Sequence, residues 1–351
     1  MAIDAFLEAV TEHISRALAY VDTGVQLPSA TREGFNPARA LMRGGKRTRA
    51  RLVRAGMLAA EPVPTASLQE RAAMLAAGVE LFQLAALIHD DVVDHSPTRR
   101  GVPAYHVALE ETHARRSWRG DSADFGRSAA VVLGDALLGS AVSLAAQAAA
   151  DAPAVMTRFA RMITSVGWGQ YLDLRSEVQP LRAAETAQRE AMEVISLKTV
   201  GYSAVDPLLM GALLGGAGTE MTDVLESFAR PFGVAFQLQD DALGVFGDPA
   251  ETGKPAGGDL AEGKHTVLLA LTRERATSAQ MRAIDALAGS KPTTAQVERA
   301  RRVITECGAQ RAHEALIARY EAAARSVLTA IPEPARGTLA SFLDGLSGRS
   351  R

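Results

Sequence analysis

The chain has 351 residues, the length of one large domain or two ordinary ones, and 47% of them are hydrophobic, ample for a buried core. A formal net charge of -2 gives no basic field that would call for nucleic acid, and the lone cysteine, Cys307, excludes an internal disulfide framework and a cysteine-based metal site. Aromatics are scarce at 5%, alanine is abundant, and apolar residues recur at three- and four-residue spacing, which predicts an all-α fold packed through small residues. The first 20 residues lack a basic segment followed by an apolar one. No apolar run is expected to reach the ~20 residues of a membrane span without a charge or glycine, so a cytoplasmic chain without stable membrane insertion is expected.

In chain order, Ile3 to Tyr20 reads as an amphipathic helix and Val21 to Asn36 as a loop. Ala38 to Ala60 reads as helical with an interruption near Gly44-Gly45. Ser67, with Glu70 three residues on, reads as a capping box opening a long helix, apolar nearly all round, that belongs in the middle of a bundle. Ser96 to Arg127 reads as a long polar connection with short helical pieces. Helices are then expected from Phe125 to Ala150 and from Pro153 to Glu177. Two more, Arg182 to Val200 and Ser203 to Ala217, are separated near Gly201, and Thr219 to Phe246 follows with Pro231 inside it. A Gly/Pro-rich loop, Gly247 to Gly263, precedes three or four further helices. With no repeat or low-complexity linker, 1–351 reads as a single helical domain, with a motif-bearing core of about 38–270 and C-terminal helices over 271–351.

Two stretches carry chemistry. The long helix ends in Asp90-Asp91-Val92-Val93-Asp94, followed by Arg99-Arg100-Gly101. Asp90 and Asp94, four apart, share a helix face; their repulsion becomes ligation if a hard cation such as Mg²⁺ is bound together with substrate phosphates. Arginines just beyond suit the remaining phosphate oxygens. The second stretch, Phe236-Gln237-Leu238-Gln239-Asp240-Asp241, repeats the design and is followed by glycines with Lys254 and Lys264. Either stretch alone could be an acidic helix end with structural ion pairs. Together they describe two metal-binding walls of a diphosphate site, over apolar helix sides suited to a hydrocarbon tail. Gly44-Gly45-Lys46-Arg47-Thr48-Arg49 alone is more readily a solvated basic turn, and Lys198-Thr199 a helix C-terminal cap. Gln83 is a core glutamine or a phosphate ligand; His89 and Gln239 are as readily structural as functional.

In combination these motifs resemble those of head-to-tail trans-isoprenyl diphosphate synthases, the polyprenyl synthetase family, and most closely the geranylgeranyl diphosphate synthases. The resemblance runs from Gly44 to Lys264. It implies an α-helical bundle around a central cavity, a homodimer, and about three Mg²⁺ ions. By resemblance Asp90, Asp94 and Asp240 are the principal metal ligands, with Asp91 and Asp241 supporting them. Arg99, Lys198, Thr199, Gln237, Lys254 and Lys264 match residues around the allylic diphosphate, and Lys46, Arg49, Gln83 and Arg100 those holding isopentenyl diphosphate. The implied reaction ionises the allylic substrate, joins it to the isopentenyl double bond and loses a proton, with no side-chain nucleophile.

Two positions depart from the family pattern. Gly244 stands where a third aspartate is usual, which predicts an active enzyme with weaker Mg²⁺ affinity, and Ala50 stands where proline is common. The residues four and five before the first aspartate, Ala86 and Ala85, are small, with Phe82 one turn lower as the expected floor, so a C20 product is expected. Longer polyprenyl products and a farnesyl product are the alternatives within the family. A terpene cyclase and a noncatalytic subunit of a heteromeric synthase are the alternatives outside this activity.

Overall fold

The computed structural model describes residues 1–19, 34–42, 45–179, 183–247, 257–290 and 292–347. They are α-helical almost throughout; the only strands among them are two residues long each. The chain divides into two compact units, residues 1–159 with 210–217, and residues 160–209 with 218–351.

In the first unit the helices are α1 (Ile3–Ala19), α2 (Asn36–Met42), α3 (Thr48–Ala60), α4 (Ala66–Val93), α5 (Tyr105–Arg115) and α6 (Ser122–Ala148), joined by the start of α7 (Pro153–Val178). The strands β1 (Thr98–Arg99) and β2 (Val102–Pro103) form an antiparallel hairpin between α4 and α5. The unit is built around α4, which packs along α6 and against α1 and α3. Close approach of α4 and α6 depends on small residues. A Cβ on Gly78 would lie 2.9 Å from the Ala141 carbonyl, and one on Gly134 would lie 2.3 Å from the His89 ring. The N-terminus of α4 is capped by Thr65, whose hydroxyl accepts from the Leu68 N–H at 3.2 Å. The expected Ser67–Glu70 box is therefore not formed, and Glu70 instead meets the His13 ring at 3.0 Å.

By length and composition, α4 and α6 are each apolar enough to cross a bilayer, contrary to the expectation that charge or glycine would interrupt every such run. Most of that apolar stretch is buried in α4 and little of it in α6. The charge inside α4, Glu80, is buried and held: it accepts from Arg47 at 3.2 Å and from the Ala50 N–H at 3.1 Å. A carboxylate at the N-terminus of α3 satisfies one of that helix's orphan N–H groups and suits its dipole. The bond also gives Ala50 a use that proline, lacking an N–H, could not fill.

In the second unit α7 continues to Val178, followed by α8 (Ala184–Val194), a π-helical segment (Ile195–Val205) and the first residues of α9 (Asp206–Leu214). The expected break near Gly201 is absent; the chain stays helical and relaxes into wider turns instead. Such π segments are rare and are frequent at functional sites. Then come α10 (Thr219–Phe246), with Pro231 inside it, and α11 (Gly258–Glu262). Five more helices follow, against the three or four expected: α12 (Val267–Arg275), α13 (Ser278–Asp285), α14 (Thr294–Glu306), α15 (Ala309–Val327) and α16 (Ala335–Ser347). Both α13 and α14 begin with capping boxes, Thr277 with Gln280 and Thr293 with Gln296. The core of this unit is α10 against α15 and the π segment. Gln239, buried in α10, donates to the Leu346 carbonyl at 2.7 Å, which makes it a structural residue.

Replacing Glu80 with alanine leaves Arg47 without its partner in a largely buried setting. The expected loss is about 3–5 kcal/mol of unfolding free energy, read from chemical denaturation.

Candidate active site

On α4 nearly every residue from Ala72 to Phe82 is buried. Beyond Phe82 solvent reaches Gln83, Ala86, Leu87 and Asp90. Their spacing makes one stripe, and Asp94 at the end of the helix prolongs it. Ala85, only 2% exposed, lies seven residues from Gly78 and four from His89, on the face that meets α6. Of the two small residues expected to open the cavity, Ala86 is on the reachable stripe and Ala85 is not. Phe82, one turn below Ala86, is 4% exposed.

The adjacent aspartates have different surroundings. Asp91 is fully buried, and the Arg99 Nε donates to its Oδ1 at 2.9 Å. The same guanidinium reaches Asp90 at 3.4 Å, and Asp90 remains partly exposed. Burial opposes the Arg99 charge, but its bond to Asp91 and the attraction of Asp91, Asp90 and Asp94 outweigh it and raise the Arg99 pKa. Arg99 and Asp91 thus fix the end of α4, leaving Asp90 and Asp94 on the reachable side.

Arg99 is held there by the β1–β2 hairpin, with Arg99 paired to Val102. The turn places Arg100 and Gly101 at φ 54° and 74°, as a two-residue primed turn requires. Arg100 donates to the Leu41 carbonyl at 2.7 Å. Burial lowers the Arg100 pKa, Glu80 raises it, and the nearby charges of Arg47, Arg49 and Arg99 lower it further. The Gly45–Arg49 segment and the hairpin therefore bring several guanidinium groups together around one buried carboxylate. That surplus of forked donors suits a diphosphate. Lys46, beside them in sequence, is exposed.

In the second unit α10 carries Gln237, Asp240 and Asp241. Asp241 is buried, and the Gln237 amide donates to its Oδ1 at 2.7 Å. Desolvation first, then the charge of nearby Asp259, pushes the Asp241 carboxyl up to about 8. The Gln237 bond and the charge of Lys264 act the other way, while Asp240 adds to the rise. Asp259, on α11, explains Gly244. A Cβ at residue 244 would lie 2.0 Å from the Asp259 Oδ2, so a carboxylate from α11 occupies the space that any side chain at residue 244 would need. Asp240 and Asp259 both act on the charge of Asp241, and carboxylate oxygens are the ligands Mg²⁺ prefers, although among the described residues no three such side chains are drawn together as a metal site.

Lys264 follows α11 and pairs with Glu262 at 2.7 Å. Lys198 and Thr199 lie inside the π segment, not at a helix end, and the Lys198 Nζ donates to Asp173 of α7 at 2.6 Å. Here α7 meets the π segment through Gly169, where a Cβ would lie 2.4 Å from the Lys198 N. Lys254 lies outside the described residues. Glu80, Asp173 and Asp259 were not expected to act. Asp173 stands four residues after Gly169, and Asp259 is framed by Gly257-Gly258 and Lys264, but nothing local says which cation or carboxylate each meets.

An all-α scaffold with aspartates at the ends of long helices, and guanidinium or ammonium groups beside them, defines the isoprenoid synthase class. The model of the polyprenyl synthetase family matches residues 34–306. A geranylgeranyl diphosphate synthase of Methanosarcina mazei is 31% identical over 311 residues, 86% of each chain. A nonaprenyl diphosphate synthase of Mycobacterium tuberculosis is 30% identical over 281 residues, 78% of this chain and 76% of its own. The crystal structure of a geranylgeranyl pyrophosphate synthase from Corynebacterium glutamicum, complexed with isoprenyl diphosphate and magnesium, superposes with a TM-score of 0.89 at 33% identity. It covers 99% of this chain and 100% of that one. The chain belongs to the polyprenyl synthetase family, and it is a prenyltransferase that extends an allylic diphosphate with isopentenyl diphosphate.

Two outcomes follow for the second unit. Because a raised carboxyl pKa favours the protonated form, cation binding near Asp241 must release a proton. Mg²⁺ affinity, measured by calorimetry, should rise with pH up to about 8 and then level off, and Asp241→Asn should flatten that rise. Asp259→Asn should weaken Mg²⁺ binding by roughly 10–100-fold, the range seen when groups supporting a metal site are lost.

Proposed function

We propose that this enzyme makes geranylgeranyl diphosphate, C20, as its main product. The accessible stripe of α4, closed at Phe82, carries this reading. Phe82 lies eight residues below Asp90, about 12 Å along the helix at 1.5 Å per residue. An extended chain advances 3.8 Å over three bonds, so one isoprene unit of four main-chain bonds spans about 5 Å. Two to three units fit below the level of Asp90, and the unit next to the diphosphate lies above it, for three to four in all. Relatives named geranylgeranyl diphosphate synthases support the same length. The small residue at Ala86, and a relative named nonaprenyl diphosphate synthase, favour a longer product as the second reading.

Asp90, Asp94, Asp240 and Asp241, with Asp259 beside Asp241, would hold magnesium. Bound there, it supplies positive charge to the diphosphate leaving group. Lys198, oriented by Asp173, and Thr199, Gln237, Lys254 and Lys264 bind the allylic diphosphate, while Lys46, Arg49 and Arg100, with Gln83, bind that of isopentenyl diphosphate. The apolar side of α4 takes the tail and keeps water from the cation formed on ionisation. The isopentenyl double bond captures that cation and a proton leaves to the released pyrophosphate. The cationic cluster around Glu80 speaks against a terpene cyclase, which has no second diphosphate to hold. Retention of Asp90, Asp94 and Asp240 speaks against a noncatalytic subunit.

The two units act as one catalytic domain in this reading, in a cytoplasmic homodimer. The exposed Val131, Val132 and Val142 of α6 supply an apolar surface for the second copy, and the lone cysteine suits a reducing compartment.

Purified protein with Mg²⁺, labelled isopentenyl diphosphate and C5, C10 or C15 primers should give mainly C20. A C30 or longer ladder would replace this assignment with the longer-chain reading. Ala86→Phe should shorten the product to C15. In sedimentation velocity the protein should run as a dimer, and Val131→Asp with Val142→Asp should shift it to monomer.

A further inference from the structure

Behind Phe82 stands a second ring. Phe159, on the first part of α7, is 0% exposed and meets Phe82 edge-on, with ring centroids 6.3 Å apart at 69°. Such an edge-on contact is favourable beyond burial alone and defines the orientation of both rings. The next positions down the same stripe of α4, Val79 and Leu75, are buried. Phe82 is therefore the last side chain a tail following Asp90 and Ala86 can touch, and Phe159 occupies space into which its ring could turn.

We propose that Phe159 is a specificity-determining positioning residue: it braces Phe82, and the two rings together form the floor that stops chain elongation. This inference rests on the synthase reading above. A single aromatic ring at the end of an apolar channel has other rotamers, and a growing tail gains apolar contact if it displaces that ring. With Phe159 edge-on behind it in a packed interior, the displaced Phe82 ring has no volume to enter without costly overpacking. Removing the brace should soften the floor without changing any residue the tail touches.

The experiment compares product lengths for the wild type, Phe82→Ala, Phe159→Ala and the double variant. All are assayed with Mg²⁺, labelled isopentenyl diphosphate and a C15 primer. Phe82→Ala should extend the main product by one or two five-carbon units. Phe159→Ala should give a mixture in which C25 is at least as abundant as C20, and the double variant should exceed either single one. Phe159→Leu, which keeps most of the volume and only loses the ring edge, should give the same shift in smaller proportion. It serves if the alanine variant does not fold. Wild-type product lengths from the folded Phe159 variants, with Phe82→Ala lengthened, would overturn the bracing role. Unchanged lengths in every variant would overturn the floor altogether. Failure of the wild type to elongate any primer would instead sink the synthase reading, and this inference with it.

Discussion

Carboxylates do not gather inside a protein without something to offset their repulsion and loss of water, and this chain meets that constraint differently at each of its acidic clusters. Asp91 is neutralised within the fold by Arg99, and Glu80 by Arg47 and the Ala50 N–H. Asp241 loses its water on burial and faces the carboxylate of Asp259, and its proton is held to about 8 as a result, although the Gln237 amide favours the charged form. The first two clusters are completed by the protein. The third keeps a carboxyl that gives up its proton reluctantly, which sets it apart from the carboxylates that build the scaffold.

The same division runs through the arginines. Arg47 and Arg99 each close a buried ion pair and hold a loop against α4. Arg100 and Arg49 share that neighbourhood as additional charge. A basic loop that reads as a solvated turn in isolation is held against α4 because one carboxylate, deep in an otherwise apolar helix, draws it in. The order of events is physical: burial of Glu80 demands a partner, the partner fixes the backbone of the loop, and the loop then presents the remaining guanidinium groups.

How much of this the sequence discloses depends on the range of the interaction. Helical periodicity marks α10 to the residue and places Asp90 and Asp94 on one face, because both follow from the 3.6-residue repeat alone. The π segment around Lys198 is not legible, since Gly201 looks locally like a breaker, whereas the segment is packed against α10 and α8. The α4 cap goes to Thr65 because helix ends are decided by backbone geometry that several hydroxyl residues could serve. Gly244 reads as a lost carboxylate until Asp259, fifteen residues away, is seen in its space. Ala85 and Ala86 look equivalent in sequence, and only the position of α6 distinguishes them.

The notch at Gly134 has a reach beyond packing. The His89 ring that fills it sits one residue before Asp90, and its Nε2 also meets the Val131 carbonyl at 3.2 Å and Asp135 at 3.5 Å. Val131 and Asp135 themselves lie on the open side of α6. A single imidazole thus ties the open side of α6 to the residue that begins the first aspartate motif.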